Sequence, residues 1–141
     1  MRTYKSSNLL SDFTRLIFPF LISVACVSIA SAATYTVTKT ADTNGTCMPG
    51  NCSLREAIAA ANSTSANDTI NFNIPASAPG CSGEVCTITL NSSLGQLVIN
   101  SALTAGTLTI TNSSGTRKIE ISGNNSIRIL DIATKWRPDY R

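Results

Sequence analysis

Short runs of Thr, Ile and Leu return at nearly even spacing through the second half of this chain. That recurrence limits the folds open to it more than any other feature. The runs are TITL (87–90), QLVI (96–99), TLTIT (107–111), KIEIS (118–122) and SIRILDI (126–132). Each places two or three apolar residues two apart, the alternation of a strand with one buried face. The first four are followed by Asn or Gly, residues that suit turns. From Ile88 to Leu108 is 20 residues, from Leu108 to Ile127 is 19, and from Leu97 to Ile119 is 22. A chain that comes back to the same face at such intervals suggests a coil of stacked turns, a parallel β-helix. An antiparallel sandwich also has short alternating strands. Its strongest hairpin signal, Asn-Gly, occurs only at Asn44-Gly45, outside this region.

Two more strands are expected upstream, TYTVTKT (34–40) and DTINFNI (68–74), the second ended by Pro75. Between them lies NCSLREAIAAANS (51–63), which reads as a helix of about nine residues. Ser53 and Glu56 form S-x-x-E, a capping box in which each side chain satisfies an amide of the other. Leu54 and Ile58, four apart, share one face with the small residues Ala57 and Ala61. Asn62 reads as its stop. So short a helix is marginal alone and must dock, apolar face down, on something else. Adjacent helical residues diverge by about 100°, so Arg55 and Glu56 do not form a catalytic pair. Glu56 is used in capping, and Arg55 is expected to pair with Asp42 or Asp68.

The heptapeptide Cys52 to Ile58, CSLREAI, resembles the CSLREAI domain of exported, mostly bacterial proteins. The flanks are also similar: TYTVTKTADTNGTC before it, AAANS and NDTINF after it, and ISGNNSIRILDI further on. The likeness runs from Thr34 to Ile132. It implies an all-β fold, the N-terminal part of a right-handed parallel β-helix with a cap holding one short helix. It also implies a surface or secreted protein resembling adhesins and polymorphic outer-membrane proteins, typically much longer than this chain. No catalytic residue carries over. Asn67 stands where Gly is usual before D-T-I, and the tail KWRPDYR (135–141) resembles no rung, as a truncated protein's tail would. The expected organisation is a signal peptide over 1–32, the cap over 33–75, a disulfide-clipped loop over 76–86, rungs over 87–132 and a non-repeat tail over 133–141.

Arg2, Lys5 and Arg15 precede an apolar run over 16–30, and Ala30-Ser31-Ala32 supplies a small-x-small site. That is the secretory pattern, with cleavage expected after Ala32. An uncleaved anchor is disfavoured by the short core with Pro19 and Ser23. A lipoprotein signal at Cys26 is disfavoured by Ser23 and by the apolar sequence beyond. Cleavage would take three of the 11 basic residues and Asp12 of the 8 acidic ones, leaving 8 and 7. A balance so near neutral, with few aromatics, does not suit nucleic-acid binding.

Four cysteines would remain: Cys47, Cys52, Cys81 and Cys86. An even number in an exported chain reads as disulfides. The local pairs Cys47–Cys52 and Cys81–Cys86 are favoured, because each brackets a turn-rich segment. Zinc would prefer closer spacing and reduced thiols.

With no histidine in the chain, a Ser-His-Asp triad and a His metal site are excluded. Glu120 and Asp131 are the carboxylates that could approach each other, but both alternate with apolar residues as solvated positions do. No catalytic, cofactor or metal residue is therefore assigned. The residues singled out are structural: Ser53, Leu54, Arg55, Glu56 and Ile58. The expected function is a non-enzymatic surface or secreted module, its partners being glycans or proteins of a host or neighbouring cell. Two alternatives stand beside it, the end of a pectin-lyase-like carbohydrate-active enzyme lacking its catalytic rungs, and a small self-contained secreted binding protein.

Overall fold

The structure, a computed structural model, describes residues 31–100, 106–113, 115 and 117–133. The signal segment and the tail expected from sequence lie almost wholly outside these residues. The described part is mostly strand with one helix: β1 (Thr34–Val37), α1 (Leu54–Asn62), β2 (Asp68–Phe72), β3 (Cys81–Ser82), β4 (Val85–Thr89), β5 (Leu97–Asn100), β6 (Leu108–Ile110), β7 (Lys118–Ser122) and β8 (Leu130–Ala133). A 3-10 turn, Ser92–Leu94, precedes β5.

Three small sheets result, none closed, in the orders β1-β2-β6, β3-β4-β7 and β5-β8. The pairings β1 with β2, β2 with β6, β4 with β7 and β5 with β8 are all parallel. The chain visits the sheets as β2, β4, β5 and then again as β6, β7, β8, each later strand lying beside its earlier counterpart. Parallel neighbours need a long connection, and here that connection is the visit to the other two sheets.

The pairing corrects the spacing read from sequence. Ile88 lies opposite Ile121 and Leu97 opposite Leu130, each a separation of 33 residues, while Ile70 lies opposite Ile110, a separation of 40. The interval near 20 joins strands of different sheets, such as Ile88 of β4 and Leu108 of β6. Alternation looks the same in every sheet, so the pattern reveals strands without revealing their partners. Two boundaries also differ. The segment expected as a loop over 76–86 contains the antiparallel pair β3–β4, turned at Gly83 with φ +57°. The run beginning at Ser126 enters its strand only at Leu130, because a turn opening at Gly123 reaches into it: the Ser126 and Ile127 amides both donate to the Gly123 carbonyl, and Asn124 and Asn125 take left-handed φ values of 51° and 52°, a region that asparagine tolerates.

Aligned apolar ladders follow from the register. Tyr35, Ile70 and Ile110 form one, Cys86 and Ile119 a second, Ile88 and Ile121 a third, and Leu97 and Leu130 a fourth. Burial falls steeply along them. Ile70, Ile88 and Leu97 are at most 1% exposed, whereas Ile110 is 42% and Leu130 37% exposed. The core therefore lies between α1 and the strands β2, β4 and β5, and the outer faces of β6 and β8 keep apolar side chains in solvent. No helix among the described residues is long and apolar enough to cross a membrane.

Candidate functional site

The end of the strand stack opposite those exposed residues is occupied by α1, which packs against β1, β2 and β5. Its entrance is held first by covalent and backbone links. Cys47 is bonded to Cys52, with 4.4 Å between their Cα atoms. The Thr38 amide donates to the Cys52 carbonyl at 2.9 Å, and the Cys52 amide donates to the Thr38 hydroxyl at 3.0 Å. Thr38, the residue that follows β1, thus fixes the residue before the N-cap. The second disulfide joins Cys81 to Cys86 across the β3–β4 pair. Two such bonds suit an oxidising, extracellular-type environment.

The capping box is present in full. The Glu56 amide donates to the Ser53 hydroxyl at 3.2 Å, and the Ser53 amide donates to Glu56 Oε2 at 2.8 Å. Glu56 does more than cap. Its Oε1 accepts the Thr43 hydroxyl at 2.7 Å, and Lys39 Nζ lies 3.4 Å from its Oε2. The Ser53 hydroxyl in turn donates to the Thr43 carbonyl at 2.9 Å. Burial pushes the Glu56 carboxyl upward, but the Ser53 amide, the Thr43 hydroxyl and the Lys39 charge outweigh it and leave the pKa below its ordinary value.

A folded-state pKa below the unfolded one adds stability that is present above the unfolded value and is lost as pH falls through the folded value. Thermal unfolding followed from pH 6 to pH 3 should therefore show a steeper acid loss in the parent than in Glu56→Gln. Parallel curves would remove Glu56 from the pH dependence.

Arg55 leaves the opposite side of the helix entrance. Its Nε and Nη2 donate to the two oxygens of Asp42, both at 2.8 Å, as a fork. Its remaining bonds go to the carbonyls of Leu94, Gly95 and Gln96 at 3.3, 2.6 and 3.1 Å. The Arg55 and Asp42 side chains are 12% and 2% exposed. Asp42 also accepts the Asn91 amide at 2.9 Å. Of the two partners expected for Arg55, Asp42 is the one found. Asp68 is used elsewhere, accepting the Ala33 amide and the Thr64 hydroxyl.

Asn62 was expected only as a helix stop, yet the helix is closed at Ser63 in a right-handed conformation. The Asn62 side chain instead reaches β5. It donates to the Val98 carbonyl at 2.8 Å and accepts the Asn100 amide at 3.0 Å. An amide side chain bonded in this way substitutes for a neighbouring strand, since it supplies one donor and one acceptor to an open edge. Arg55 takes the carbonyls of the turn that leads into the same edge. Asn62→Asp replaces the donor by a charge facing the Val98 carbonyl. It should cost more stability than Asn62→Ala, which should lose about 1 kcal/mol. Equal midpoints in urea for the two variants would contradict the edge role.

Other ionisable side chains are dispersed. Glu120 pairs with Lys118 on β7 at 2.7 Å, and Asp131 on β8 accepts the Gln96 amide group at 3.0 Å, so the two carboxylates sit in different sheets with different partners. Asp68, Arg117, Arg55 and Glu120 each line a separate cleft. No three His, Cys, Asp or Glu side chains gather as metal ligands would among the described residues.

Comparison with protein-family models, with curated proteins and with solved structures returned no match.

Proposed function

We propose that the chain is the capped N-terminal part of a right-handed parallel β-helix of the CSLREAI type, exported to the cell surface or medium as a non-catalytic structural and adhesive module. The observation that supports this best is the way α1 takes the place of a strand. Leu54 and Ile58 cover the apolar ladders, Asn62 bonds the free edge of β5 and Arg55 the turn that leads into it, and Cys52 tethers the helix to the loop after β1. Such a device suits the end of a coil, where an uncovered edge would recruit other chains. In this reading β2, β4 and β5 form one rung and β6, β7 and β8 the next. The exposed Ile110, Leu130 and Ile132 then mark the face on which a further rung stacks. Of the segment 33–75, the part before β2 acts as the cap, and export follows cleavage of the signal segment.

A surface module of this kind holds its partner by shape over exposed turns, and its partners are surface glycans or proteins. The test is to express the chain with its own N-terminus in a bacterial host, recover it from the medium or cell surface, and apply it to glycan and protein arrays. Saturable retention without a released product is the expected result. Retention inside the cell overturns the export reading. Release of unsaturated uronides from pectate overturns the non-catalytic one in favour of a carbohydrate-active β-helix.

A further inference from the structure

Asp68 is the first residue of β2 and only 2% exposed. Aspartate is depleted in strands, and a buried carboxylate is costly unless a cation stands beside it. Among the described residues no ion pair includes Asp68. Its two oxygens are held by neutral donors, the Ala33 amide at 2.8 Å on one and the Thr64 hydroxyl on the other. Ala33 is held from both sides, since its carbonyl also accepts the Thr69 amide at 2.9 Å. Ser31 and Ala32, immediately before it, are exposed. Ala33 is also the residue that follows the small-x-small site Ala30-Ser31-Ala32.

We propose that Asp68 is the receptor for a new amino terminus made by cleavage between Ala32 and Ala33, so that processing turns a hydrogen bond from a neutral amide into a buried ion pair. The inference rests on the export reading above. A signal peptidase adds water across the Ala32–Ala33 peptide bond. The leader leaves with a carboxylate on Ala32, and the chain keeps an amine on Ala33 that takes up a proton at neutral pH, the ordinary α-amino pKa being about 7.7–8.0. The nitrogen already lies 2.8 Å from Asp68 Oδ1, so the ammonium needs no movement of the backbone to reach its counter-ion. The unprocessed chain has the same geometry without the charge. Processing thereby tightens β1 on β2, next to the helix that closes this end.

The charges around the site are few. Strand β1 contributes Tyr35, whose phenol is raised first by burial and then by the Asp68 charge. Strand β6 contributes no ionisable side chain, and the charged residues of α1, Arg55 and Glu56, are engaged with Asp42 and with Thr43 and Lys39. An ammonium beside Asp68 should therefore titrate above the ordinary α-amino range. The folded-state value being the higher one, its stabilising effect is complete below the ordinary value and fades as pH rises through the raised one.

The experiment uses the exported protein. Its intact mass fixes the first residue. The Ala33 amine is then titrated by NMR with labelled alanine, and the melting temperature is compared before and after selective acetylation of the amino terminus. A raised amine pKa, with a loss of roughly 5 °C on acetylation, is expected. In Asp68→Asn both effects should disappear. A chain that begins at Ala33 but titrates in the ordinary range, with an unchanged melting temperature after acetylation, overturns the receptor role alone. A chain that begins elsewhere overturns the cleavage reading and the receptor with it.

Discussion

Replacing Leu54 and Ile58 together by Asp is expected to abolish recovery of folded protein. The two side chains are 2% and 3% exposed and sit in the same core as Ile70, Ile88 and Leu97. Burial of two such aliphatic groups contributes about 3–6 kcal/mol. Two carboxylates in their place would lose that and add the cost of unpaired buried charge. A domain of this size has a total stability of about 5–15 kcal/mol, so the loss consumes most or all of it. The uncovered ladders would then expose apolar strand edges and aggregate. Leu54→Ala should still fold, with a loss of about 2–5 kcal/mol. Ala59→Asp, on the exposed side of the same helix, should leave recovery and melting temperature unchanged. A soluble double variant that melts like the parent would show that α1 is not a lid.

Arg55→Ala should have the next largest effect, about 3–5 kcal/mol by denaturant unfolding. The substitution leaves Asp42 buried with the Asn91 amide as its remaining described partner, and it frees the carbonyls of Leu94, Gly95 and Gln96. Arg55→Lys keeps the charge but cannot make the two-pronged contact, so an intermediate loss is expected. Removing Asp42 as well should cost less than the sum of the single changes, because the first removal already strands the second group. An Arg55→Ala protein within about 0.5 kcal/mol of the parent would demote the contact to the level of a surface ion pair. The contact matters because it joins three parts that are remote in sequence: the loop after β1, the start of α1 and the turn before β5.

Much of the helix was legible in the sequence, for a simple reason. A capping box is contained within four residues, and an i, i+4 apolar face within five, so both can be read from local spacing. The two C-x4-C pairs were legible on the same ground, since the turns that close them lie between the cysteines. Interactions that cross the fold were not. Asn62 at the end of a helix gives no sign that β5 will pass beside it 36 residues later. Thr43, in a loop full of turn residues, gives no sign that its hydroxyl and carbonyl meet Glu56 and Ser53. Asp42 and Asp68 stood as alternative partners for Arg55, because charge alone does not say which of two carboxylates the chain will bring near.

The sequence by itself determined the kinds of local structure: short strands with one apolar face, one helix with its cap, and cysteines placed to close two small loops. These follow from side-chain periods and steric preferences that act within a few residues. The tertiary structure decided which strands became neighbours. Parallel pairing at 33 to 40 residues depends on the length of each excursion through the other sheets, and alternation carries no record of that length. It also decided that Asn62 would act on an edge of β5, and Arg55 on the turn before it, rather than on solvent, because those open amides and carbonyls are in reach only once the strand is in place.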